Sequence, residues 1–97
     1  MKEEHKKRLC ELAGFSEKFI QPAAWVDYEL EIFIKAMWAI NDDENNPYSI
    51  EMSVKNMFAV GKKDRKYTVE ILEFWDLPNK QEALTKALEY VLDKETI

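Results

Sequence analysis

From Leu30 onward the apolar residues recur at helical spacing. Leu30, Phe33, Ile34, Met37 and Trp38 mark one stripe, and Ile32, Ala36 and Ile40 widen it. Asp27 is suited to cap such a helix, because its carboxylate can accept from first-turn N–H groups, and Glu29 adds favourable charge there. The pattern predicts a core-facing helix over 27–41. Upstream, Leu9, Leu12 and Ala13 with Cys10 form a shorter stripe ending at Gly14, which predicts a helix over 2–13 closed by a left-handed glycine and Phe15. The segment between, containing Pro22, reads as a connector with at most one irregular helical turn.

At Tyr48 the period falls from 3.6 to 2. Tyr48, Ile50, Met52 and Val54 alternate with Ser49, Glu51, Ser53 and Lys55, as in a half-buried strand. After a polar turn at Gly61–Lys66, Tyr67, Val69 and Ile71 resume the alternation, so the two runs predict a hairpin. The alternation fails around Leu72, which is expected of a bulge, an edge crossing or burial on both faces. Asn79 and Glu82 then form a capping-box pattern ahead of a helix whose apolar face is Ala83, Leu84, Ala87, Leu88 and Val91. The expected architecture is a single α+β domain over 1–97, ordered helix, helix, β-hairpin, helix, with the helices packed on a small antiparallel sheet. Two strands rarely suffice alone, so either at least two helices pack on the hairpin or a further strand is recruited, from residues 18–26 or from a second copy of the chain.

Composition narrows the functional classes. A chain of 97 residues with a formal net charge of −5 repels phosphate backbones and anionic bilayers, so neither nucleic acid nor membrane is an expected partner. No apolar run approaches a membrane span and no leader-like segment opens the chain, which makes cytoplasmic localisation the expectation. The single cysteine, Cys10, permits neither an internal disulfide nor a thiolate metal site. His5, the only imidazole, lies five positions from Cys10, about 140° around a helix axis, so the two diverge. His5 is expected at the surface and Cys10 in the core.

The run Asn41–Asn46, NDDENN, has closely spaced oxygens. As a calcium loop it would need glycine where Asn46 stands and glutamate where Met52 stands, and it reads instead as a solvated helix end or a contact for a basic partner. Lys62, Lys63, Arg65 and Lys66 read as a solvated loop tip. Glu70 and Glu73, three apart, fall on opposite faces of a regular strand unless a bulge intervenes, so paired-carboxylate chemistry has no clear frame. With no nucleophile elbow, phosphate loop or metal-ligand spacing, no enzyme, cofactor or metal site is expected. The aromatic residues exceed what so small a core hides, and Tyr28, Phe58, Trp75 and Tyr90, together with Asp42, Asp43 and Glu44, are the candidate partner interface.

Three segments carry a family resemblance: LCELAGF, DYELEIFIKAMWAI, and the strands in YSIEMSVKNMFAV and KYTVEILEFW leading into PNKQEALTKALEYVL. Together they resemble the phage ABA sandwich family, small phage and prophage proteins named for an α-β-α layering. The resemblance implies a compact accessory protein and transfers no site residue. The functional expectation is a noncatalytic protein that binds an unidentified protein partner, with homodimerisation drawing on the same surfaces. Free strand edges, at Met57–Val60 or Val69–Trp75, would serve that purpose. One alternative is a DNA mimic or nuclease inhibitor using Asp42, Asp43, Glu44, Glu51 and Glu70. Another is a small ligand carrier with an aromatic pocket.

Overall fold

A computed structural model describes residues 1–53 and 57–95. Helix α1 (Glu3–Ala13) ends as its sequence predicts. Gly14 adopts φ 78°, its N–H reaches Glu11 O, and Phe15 N–H reaches Cys10 O at 2.8 Å, which together make a Schellman closure. A 3₁₀ turn (Glu17–Ile20) follows, started by Ser16. Residues 18–26 therefore supply no strand: they hold this turn and the start of the next helix.

Helix α2 runs over Pro22–Asp42, five residues earlier than the stripe suggests, so Asp27 is an exposed interior residue and not the cap. Proline is the cause. Its fixed φ and missing N–H suit the first helical position, and Trp25 N–H closes the first turn onto Gln21 O at 2.8 Å. The face turned to the core also differs from the expected one. Trp25, Ile32, Phe33, Ala36 and Ile40 are buried, Ile34 and Met37 are half-buried, and Leu30 and Trp38 remain 51% and 57% exposed. Both stripes of α2 are apolar, and packing against α1 selects the one holding Trp25 and Ile32.

The expected hairpin is a three-stranded antiparallel meander of β1 (Tyr48–Met52), β2 (Phe58–Asp64) and β3 (Tyr67–Trp75), in that order. The third strand is neither recruited from elsewhere nor donated by another copy. It arises from a reversal after Met52, which pairs with Phe58, and the reversal is fixed by Ser53 N–H on Met57 O at 2.8 Å. Val54 and Lys55, expected to extend β1, lie outside the described residues. The polar turn is also shorter than expected. Gly61–Asp64 belong to β2, and only Arg65 (φ 61°) and Lys66 turn the chain. Met57–Val60 is no free edge either, because Phe58–Val60 is central and paired on both sides.

Helix α3 (Lys80–Glu95) starts at Asn79, whose side-chain oxygen accepts from Gln81 N and Glu82 N, and it buries all five residues of the expected face. Helices α2 and α3 cover one face of the sheet, α2 over β1 and α3 over β2, while α1 packs behind them. Ile50, Phe58 and Val60 meet Phe33, Leu84 and Leu88 in one core with Leu9 and Cys10.

His5 is 6% exposed, contrary to the expected surface position. Its Nε2 lies 3.0 Å from Asp93 Oδ1, and with Arg8 and Glu95 at 3.1 Å it fastens α1 to the end of α3.

Candidate interaction surface

The acidic bend is where α2 ends. Asp43 leaves helical geometry, its Oδ1 accepts from Asn45 N at 2.9 Å, and Asn46 Oδ1 accepts from Tyr48 N at 3.0 Å. These side chains replace backbone partners where the chain turns. The unpaired carbonyls of Ile40 and Asn41 are met by Lys63 Nζ at 2.8 and 3.2 Å. A cation thus sits at the negative helix end, with Asp42 and Asp43 close to it. Burial pushes the Lys63 ammonium below its usual value, and the charges of Asp43 and Asp42 oppose that shift. The remaining basic residues of the run, Lys62, Arg65 and Lys66, are exposed as expected.

The seven residues of the expected interface do not share one surface. Asp42, Asp43 and Glu44 lie at the end of α2. Tyr28 is at the other end of the helix, against Phe19 and Phe15. Trp75 and Tyr90 meet edge to face at 5.9 Å, with Tyr48 against Tyr90 on the helix side of the sheet, and Phe58 is buried in register with Trp75. The carboxylates of the DNA-mimic reading are likewise dispersed: Glu51 bonds Thr68 on β3, while Glu70 registers with Lys62. Among the described residues, no three His, Cys, Asp or Glu side chains converge on a common point.

What the structure does gather is exposed apolar surface. Leu30, Ile34, Met37, Met52, Phe58 and Leu84 line a groove of about 250 Å³ between α2, α3 and the sheet end, with Lys80 and Gln81 at its mouth. Leu30 and Ile34 continue outward to Trp38. Met52 also borders a hollow on the uncovered sheet face with Met57, Ala59, Ile71 and Phe74. The apolar surface thus runs from α2 round the sheet end to the bare face. It was hidden in the sequence because Leu30 and Trp38 keep core-like spacing and the strand alternation gives no sign of which face lacks a cover.

The two sheet edges differ. Along β1, residues 47, 49, 51 and 53 spend their backbone groups on β2, as Lys63 N on Pro47 O and Ser53 N on Met57 O show, so Tyr48 and Ile50 face outward. Three of the four outward groups of these two residues are occupied. Asn46 takes the Tyr48 N–H, while the Asn41 side chain accepts from Ile50 N and donates to Ile50 O, each at 2.7 Å. Asn41 in effect acts as a one-residue strand that closes this edge.

Along β3 the edge is open. Phe74, Ile71 and Thr68 register with Ala59, Gly61 and Lys63, the β2 residues whose backbone groups serve β1, so their own groups turn away from β2. Register shifts leave Leu72 and Val69 as bulged residues. A bulge does intervene between the two carboxylates, the exception the sequence leaves open. Glu73 registers with Val60 and Glu70 with Lys62, so both lie on the helix-covered side of β3.

No protein-family model, curated protein or solved structure matches the chain.

Proposed function

We propose that this protein is a noncatalytic accessory protein, of the phage or prophage kind its sequence resembles, that acts by binding another protein. The supporting observation is the continuous apolar surface through Trp38, Leu30, Met52, Ile71 and Phe74, whose side chains are 51–61% exposed. Isolated exposed apolar side chains are ordinary, but a connected set of this kind is characteristic of surfaces that another molecule covers. The groove walls are almost wholly apolar, which suits packing better than bond-making chemistry.

The test is capture of partners by the tagged full chain from the cells that carry it, alongside Leu30→Ser/Trp38→Ser and Ile71→Ser/Phe74→Ser variants. A saturable partner lost by at least one variant pair is expected. No partner, or one retained equally by both pairs, would remove the reading.

A further inference from the structure

We infer that the free edge of β3 receives an extended, basic segment of a partner protein as a fourth strand of the sheet. This deepens the proposed function and rests on it. The β3 edge is the more open of the two: Asn41 and Asn46 occupy the Tyr48 N–H and both Ile50 backbone groups of β1, while the register turns those of Thr68 and Ile71 away from β2, with no side-chain or loop partner among the described residues. Among the described residues, Phe74 N–H is met by the neighbouring Glu73 carboxylate at 3.2 Å.

Charge selects the occupant. In Tyr67–Trp75, YTVEILEFW, there are two carboxylates and no cation, and neither Glu70 nor Glu73 joins an ion pair among the described residues. The bulge at Leu72 sets both on the same side of the strand, and Ile71 and Phe74 lie on the bare side. Pairing β3 with its counterpart in a second copy about a two-fold axis would bring four carboxylates to one side of the seam, with only Lys62 of each copy, one strand away in register with Glu70, to offset them. A partner strand with Lys or Arg on the side of Glu70 and Glu73, and apolar residues beside Ile71 and Phe74, satisfies both sides at once. Backbone bonds would supply affinity and the alternation would supply selectivity. The two bulges strengthen the local twist and break the ladder, which favours a short strand over long, flat self-pairing.

The probe is the peptide acetyl-TKVKVKVKT-amide, compared with its Lys→Glu and Val→Pro counterparts, with the full chain observed through its backbone amide NMR signals. The lysine peptide is expected to shift and protect the Thr68, Ile71 and Phe74 amides, to bind more weakly as salt rises, and to lose at least tenfold in affinity to the Glu70→Lys/Glu73→Lys variant. That variant should instead bind the glutamate peptide, and the proline peptide should bind neither protein. Peptide shifts confined to the Leu30–Met52 groove, an affinity unchanged by the charge reversal, or a wild-type dimer paired through β3 would each overturn the inference. A captured partner that depends on Leu30 and Trp38 but not on Glu70 and Glu73 would overturn it too, and would leave the broader interaction reading standing.

Discussion

Replacing Asn41 with alanine should unseal one sheet edge at a calculable cost. Its side chain makes two hydrogen bonds of 2.7 Å to Ile50, a residue only 1% exposed. Each bond contributes about 1 kcal/mol net, and a backbone group left buried without a partner costs about 1–3 kcal/mol. Water reaching the vacated edge gives the lower bound of about 2 kcal/mol, and a dry edge gives about 4. Alanine returns at most about 0.7 kcal/mol through its better helix propensity, so a loss of about 1.5–3.5 kcal/mol is expected. For a domain of this size that lowers the midpoint of thermal unfolding by roughly 6–28 °C. Urea unfolding followed by far-UV circular dichroism measures it, with an unchanged slope on denaturant identifying a loss of stability rather than a change of unfolded state. Asn41→Asp should be no better than alanine, since it keeps the acceptor for Ile50 N–H but sets a carboxylate against Ile50 O. A loss below about 0.5 kcal/mol would refute the sealing role. Sedimentation should also show concentration-dependent association of Asn41→Ala that wild type lacks, as expected of an exposed strand edge.

Gly61→Ala should destabilise by about 2 kcal/mol or more in urea unfolding, because a Cβ there would stand 2.9 Å from the Glu70 backbone oxygen and collide with Thr68 Cγ2. Gly14→Ala meets no atom within 4 Å but must hold φ 78°, so its cost should be about 1–2 kcal/mol and come from backbone strain alone. Equal effects at the two glycines would contradict the assignment of different causes. Cys10 is fully buried and its thiol is pushed above its usual value, first by burial and then by Glu17, so a thiol reagent at pH 8 should label it only as fast as the protein opens, and at once in denaturant. Prompt labelling of the native protein would place Cys10 outside the core.

The elements whose chemistry is local were the legible ones. Gly14 and Asn79 announce a helix end and a helix start by backbone geometry and hydrogen bonding that involve only their neighbours, and Ala83–Val91 form the single apolar face available to α3. What depended on distant partners was not legible. Helix α2 is apolar on two sides, so only the position of α1 decides that Ile32 goes in and Trp38 stays out. The reversal between Met52 and Phe58 contains neither glycine nor proline, and one long strand and two short ones share the same alternation there. Asn41 lay within a run read as a solvated helix end, and its role appears only once Ile50 is beside it. Regular spacing sets Glu70 and Glu73 on opposite faces and a bulge sets them on one, and only the pairing with β2 decides between the two. His5 looked terminal until α3 returned Asp93 to it.

The sheet presents one edge sealed at Ile50 by Asn41 and one open edge along β3. Residue-resolved amide hydrogen exchange on the free monomer measures this without knowledge of any partner. The Ile50 amide, held by Asn41, should exchange slowly, and the Ile71 and Thr68 amides at the free edge of β3 should exchange fast. Rapid exchange at Ile50, or strong protection at both Ile71 and Thr68 in the unbound monomer, would contradict it.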